Sequence, residues 1–209
     1  MLTALAAALA LISTPQPAPA ESLADLAWRF CIEPDGDHRL TWHRAEQDGF
    51  RWMTPDDVPN LYLPGTFGPD LRGLEKTSDG TTIRILTSAF RWTSPGDGRT
   101  FFRQCWLSAS AADLGQTRAD LGALLDVRPF RSKEVIVFAW IPLPDGTSSS
   151  VPRRDYLRNV LTLSRDHGMR QIMLRQYDAS VFIGYSSPRD EATYREFDWA
   201  GPEPINPRE

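Results

Sequence analysis

Apolar and polar positions alternate in two different periods along this chain, and the switch between them lays out the elements. In residues 22–31, Leu23, Leu26, Ala27 and Phe30 recur at helical spacing, and Ser22 with Asp25 three positions on makes a weak capping box. Pro34-Asp35-Gly36 ends that helix. A less clean stripe over residues 40–48 predicts a second helix, closed by Gly49. Residues 54–70 hold four prolines and two glycines among polar residues, so an irregular connection is expected, with a short strand at Leu61-Tyr62-Leu63.

Period two then takes over. Residues 73–77 and 81–92, joined by Ser78-Asp79-Gly80, read as a hairpin, because Asp-Gly supplies the positive backbone angles of a tight turn. A second turn over 94–98 leads into a strand over 99–108. There Phe101, Arg103 and Cys105 share one face and Phe102, Gln104 and Trp106 the other. Ser110 with Asp113 suggests another capping box, and Leu114, Leu121, Leu124 and Leu125 carry a mid-chain helix stopped by Pro129. Residues 134–141 are apolar almost without a break, the pattern of a central strand covered on both sides. Residues 159–165, 170–176 and 180–185 follow at intervals near ten residues, as in an antiparallel meander. The first of these also fits a 3.6 period through Leu157, Val160, Leu161 and Ser164, and the spacing of its neighbours favours strand.

The expected fold is therefore α+β: a mostly antiparallel sheet with an N-terminal helical pair and one mid-chain helix packed on it. Helices then strands occur once in residues 22–108 and again in 110–186, which raises an internal duplication. No shared residue motif links the halves, so two layers of one α+β domain is the preferred reading.

The ends differ from the middle. Leu2 to Ile12 is apolar, Pro15, Pro17 and Pro19 forbid its continuation as helix, and Ala18-Pro19-Ala20 suits a signal-peptidase pocket. The first twenty residues hold no Lys or Arg, so only the amino terminus supplies the positive charge such a leader carries. The reading is a signal peptide over 1–20, a single domain over 21–187 and a Pro-rich tail over 188–209, in a periplasmic or secreted protein. Composition agrees with a globular chain: 209 residues, 41% hydrophobic, with 23 basic against 27 acidic residues dispersed along it. That balance offers no electrostatic footprint for nucleic acid. No apolar run is long enough for an integral membrane segment after cleavage.

Export gives meaning to Cys31 and Cys105. As two cysteines in an oxidising compartment they are expected to pair, closing a loop of 74 positions worth about 4 kcal/mol in the chain-entropy account. Catalytic chemistry has no visible motif. His38, His43 and His167 stand at no zinc-ligand interval, and Asp35-Gly36-Asp37 starts a calcium loop that Leu40 and Trp42 interrupt. Gly-x-Ser-x-Gly and phosphate loops do not occur. No catalytic, cofactor or metal residue is nominated. Arg outnumbers Lys by 21 to 2, a bias that genomic base composition produces equally well. Of seven tryptophans, Trp52, Trp92 and Trp199 fall in expected loops or ends and form the candidate binding surface, for sugars or peptides. The functional expectation is a non-catalytic envelope or binding protein whose partner is another envelope protein or a cell-wall component. The alternative is an envelope hydrolase with dispersed catalytic residues and His38 or His167 as base.

Overall fold

The computed structural model describes residues 21–60, 68, 70–94, 98–191 and 205. The first helix, α1 (Leu23–Ala27), begins with a full capping box: the Ser22 hydroxyl accepts from the Asp25 amide, and the Asp25 carboxylate accepts from the Ser22 amide. It runs on as one π-helical turn, Trp28–Ile32. Widening the helix there turns two carbonyls outward, and α2 (His38–Gln47) uses both: Thr41 donates to the Phe30 carbonyl at 2.6 Å and Arg44 to that of Arg29 at 2.7 Å. Asp37 caps α2 through the Leu40 amide, so the second helix starts two residues earlier than expected.

After β1 (Arg51–Trp52) and a 3-10 turn (Pro55–Asn60) come β2 (Arg72–Ser78), β3 (Thr81–Ser94) and β4 (Gly98–Ser110). The β2–β3 hairpin turns at Asp79 and Gly80, both at positive φ, as the Asp-Gly pair requires. The helix α3 (Leu114–Leu125) is capped by Asp113 itself, whose side chain accepts from the Gln116 amide. Ser110 is not its cap; it remains in β4 and accepts from the Thr82 amide. Next are β5 (Phe130–Ser132), β6 (Val135–Pro142) and β7 (Ser148–Ser150), then α4 (Arg153–His167), β8 (Arg170–Tyr177) and β9 (Ser180–Arg189).

The strand expected over 159–165 is thus part of a helix, the fourth, where the sequence reading had one after the N-terminal pair. The helical period through Leu161 and Ser164 prevails because both ends are fitted for it: Pro152 occupies the N-cap and Gly168, at φ 64°, the left-handed C-cap. The helix is broken once, at Asn159. The short strand expected at 61–63 lies outside the described residues, as do the leader expected over 1–20, residues 95–97 of the second turn, and Trp199.

All strand pairs are antiparallel, in the order β1-β2-β3-β4-β9-β8-β6-β5, with β7 also pairing β6. Both faces of the centre are covered. On one face α1, the π turn, α2 and α3 enclose the main core around Phe30, Trp42, Ile85, Leu107, Leu121, Phe138 and Ile183. Cys31 and Cys105 form a disulfide within it, Cα to Cα 5.3 Å, both side chains fully buried. On the opposite face α4 covers Val137, Ala139, Val151 and Met169, and a separate small cluster joins Met53, Leu71, Leu86, Trp106 and Ile205. Ile205 also donates its amide to the Leu71 carbonyl, and Pro188 and Arg189 lie within β9. No helix among the described residues is long and apolar enough to cross a membrane.

Candidate functional site

Strand register puts polar residues of the central strands on both faces, at the same level of the sheet. On the helical face, Arg103 of β4 stands opposite Ser187 of β9, two positions along from the Cys105–Tyr185 pair, and Arg170 of β8 lies beyond. They surround the loop between the π turn and α2. Asp35, in the left-handed region at φ 46°, accepts both guanidinium contacts of Arg170 at 2.8 Å, the Tyr185 hydroxyl, and the Ser187 hydroxyl at 2.7 Å. Arg189 lies 3.5 Å away. Arg103 donates to the Gly36 carbonyl, and a Cβ on Gly36 would stand 2.9 Å from that of Arg103 and force the loop off the sheet.

The electrostatics of this knot are those of a strut. Burial alone would raise the Asp35 pKa, but the hydrogen bonds and charge of Arg170, with Tyr185 and Ser187, outweigh it and hold the carboxyl below its ordinary value. Burial and the Asp35 charge push the Tyr185 phenol upward, so it stays protonated. His38, fully buried beside Trp42, is pushed down to about 3 by burial and then by the charge of Arg103. At neutral pH this carboxylate is a spent acceptor and this imidazole a neutral core group. Neither is poised to move protons. His167 is exposed at the end of α4, and His43, exposed on α2, lies 3.0 Å from Gln47.

The opposite face carries a line of four polar side chains. Ser88, Gln104, Ser186 and Gln171 are directly paired across β3, β4, β9 and β8. An apolar row lies on each side of the line: Leu86, Trp106 and Met173 on one, with the Trp106 ring lying over Gly184, and Phe90, Phe102 and Pro188 on the other. The end members are satisfied from above. Gly68 donates to the Ser88 hydroxyl at 2.7 Å, and Tyr156 of α4 donates to Gln171 at 2.6 Å. The two inner members are not: Gln104 Oε1 and Ser186 Oγ are buried and have no hydrogen-bond partner among the described residues. Beside Ser88, both oxygens of Asp70 accept from the Ala89 amide, and burial raises that carboxyl to about 6 against the pull of this hydrogen bond and of Arg72.

Beyond this level the β3–β4 hairpin continues as an arm. The β2 strand stops at Arg72, opposite Thr87, while β3 runs on to Ser94. Phe90 stacks on Phe102 at 5.0 Å with rings 14° apart, and Trp92 follows 6.5 Å from Phe90 with 51% of its surface exposed. Of the tryptophans nominated from sequence, Trp92 is therefore a strand residue on the α4 face. Trp52 is a strand residue on the helical face, edge-on to Trp42 at 5.6 Å and bonded to Glu46 at 2.7 Å. The structure does not bring these two together.

The chain matches no protein-family model, no curated protein and no solved structure. What the site can do rests on its geometry alone. A cavity of about 260 Å³ lies where α1 and α3 begin, between Leu23, Ile83, Ala109 and Gln116, but Ser22 and Asp113 already cap both helix ends there.

Sequence reasoning missed Asp35, Arg170, Tyr185, Ser187, Gln104 and Ser186. A signal was present. In β4 the pair Arg103-Gln104, flanked by Phe101-Phe102 and Cys105-Trp106, places a polar group on each face of a doubly covered strand, and Ser186-Ser187 repeats this in β9.

Proposed function

We propose that this is an exported, non-catalytic binding protein of the cell envelope, periplasmic or secreted after removal of residues 1–20, which grips an envelope protein or cell-wall component with the β3–β4 arm. The observation that carries the reading is Trp92, a large aromatic half open to solvent on a hairpin stiffened beneath it by the Phe90–Phe102 stack. A rigid aromatic with little conformational entropy left to lose is the kind of residue that dominates binding energy. The buried Cys31–Cys105 bond supports a route through an oxidising compartment. The hydrolase alternative draws no support from its two bases: His38 is neutral and sealed from solvent, and among the described residues His167, exposed at the end of α4, makes no hydrogen bond to a serine or aspartate.

The test has two arms. The full chain, expressed in a Gram-negative host, is expected to yield mature protein beginning at Glu21, read by intact mass. Mature protein is then sedimented with purified peptidoglycan sacculi and with outer-membrane vesicles. Binding to one of them, weakened about tenfold or more by Trp92→Ala, is the expected result. Equal sedimentation of wild type and variant overturns the role of the arm.

A further inference from the structure

We propose that the polar line Ser88, Gln104, Ser186 and Gln171 is the floor of a binding site for an uncharged sugar ring that donates hydrogen bonds. This deepens the envelope-binding reading above and rests on it.

The argument begins with cost. A buried amide oxygen or hydroxyl without a partner is destabilising by about 1–3 kcal/mol, so folding alone gives no reason to place Gln104 and Ser186 side by side under cover. Their position narrows the choice of ligand. Among the described residues the hydrogen bonds from above go to the ends of the line, from residue 68 to Ser88 and from Tyr156 to Gln171, while α4 packs over β4 and β9 without bonding the two inner groups. The unused groups are the two between.

Chemistry narrows it further. Gln104 Oε1 can only accept, so the ligand must bring an N–H or O–H. The Ser186 hydroxyl can accept or donate in turn. None of the four side chains in the line carries a charge, which disfavours ionic ligands. Trp106, lying over Gly184, and Phe102, stacked on Phe90, present apolar surface on either side. A pyranose has this pattern, with hydroxyls around its edge and C–H groups on its faces, and an acetamido sugar adds the N–H that an amide oxygen best accepts. The line spans three strand spacings, about 14 Å, a length that matches more than one ring. Entry requires α4 to lift from β4 and β9, and the helix is already broken at Asn159, between Tyr156 and the buried Leu161 and Ser164.

The experiment uses the mature protein, with N-acetylglucosamine and its β-1,4-linked tetramer as probes, followed by titration calorimetry and by a crystal structure of each complex. The comparison protein carries Gln104→Met and Ser186→Ala, which nearly keep the volume and remove the unpaired oxygens together with the Gln104 amide nitrogen. This variant is expected to melt no lower than wild type and to lose at least about tenfold in sugar affinity. Stronger binding of the tetramer points to a glycan chain as the source, and equal binding per ring to a free sugar. The proposal is overturned if neither sugar releases heat, if the double variant binds as wild type does, or if the crystals show ordered water alone between Gln104 and Ser186. Sedimentation of the double variant with sacculi or vesicles separates the two readings: if it sediments as wild type and only the Trp92 variant fails, the arm stands without the sugar site.

Discussion

The two faces of this sheet are finished in different ways. On the helical face one continuous core contains a disulfide, and the acidic group that intrudes, Asp35, is met by Arg170, Tyr185, Ser187 and Arg189. On the α4 face the apolar residues fall into two separate clusters, and a polar line crosses β3, β4, β9 and β8 at the level of Ala139, with two of its atoms unpartnered among the described residues. The same strands build both faces by alternation, so backbone geometry does not account for the contrast. It lies in which buried polar groups meet a partner, as Asp35 does on the helical face and as Gln104 Oε1 and Ser186 Oγ do not among the described residues on the other.

The largest expected effect falls on the first face. Replacing Cys31 and Cys105 by serine should lower stability by about 4 kcal/mol, read from the urea midpoint at constant slope. A loss under about 1 kcal/mol would mean that α1 is held by packing alone, and would remove the staple from the contrast. Asp35→Asn comes next, at about 2–3 kcal/mol. This lies below the usual cost of breaking a buried ion pair because 39% of the Asp35 side chain remains in contact with solvent. The pH dependence has a definite sign. Asp35 is depressed, so its contribution is present above the ordinary carboxyl pKa and is lost as pH falls below it. His38 is depressed from 6.5 to about 3, so the stability of keeping it neutral is complete above 6.5 and drains away as pH falls towards 3. Acid denaturation of wild type against Asp35→Asn should show the variant losing less on acidification. Parallel curves would sink the assignment.

The helical face was largely legible from sequence. The Ser22–Asp25 capping box, the Asp79-Gly80 turn and the placing of Cys105 on the Phe101 side of β4 each follow from a local rule, and the disulfide follows from a count of two. The α4 face was not. Residues 159–165 fit both periods, and only the joint presence of Pro152 and Gly168 at the two ends decides for helix. The polar line escapes a linear reading altogether, because Ser88, Gln104, Ser186 and Gln171 come from four strands and share nothing in sequence but an in-facing parity that register alone aligns. The Asp35 knot escapes for the same reason, since its partners are 135 to 154 positions away.

At the margin of the second face the sign of the pH effect reverses. Asp70 is raised from 3.8 to about 6, so its favourable contribution is complete below 3.8 and is lost as pH rises through 6. Asp70→Asn keeps an oxygen for the Ala89 amide and removes the buried charge. It should therefore gain about 1–2 kcal/mol at pH 8, less than the full linkage value because a neutral acceptor binds the amide more weakly, and almost nothing near pH 4. Urea melts at the two pH values read the difference. A gain that persists at pH 4 would mean that shape, not charge, sets the cost at this position.

The smallest stability effect is also the most discriminating. In a face built only to be stable, truncating polar core groups costs energy because their partners are stranded. Gln104 Oε1 and Ser186 Oγ have no partners to strand, so Gln104→Met with Ser186→Ala should change stability by no more than about 0.5 kcal/mol, or raise it by up to about 1 kcal/mol. Ser187→Ala makes the matched control one residue along the same strand, on the other face. It removes a hydroxyl that donates to Asp35 and accepts from Arg189, and so should cost about 1–2 kcal/mol. If the two variants melt alike, the distinction between a face closed on itself and a face kept open for a ligand disappears. If they part in the stated order, Ser186 and Ser187, adjacent in sequence, are serving different purposes on opposite sides of one strand.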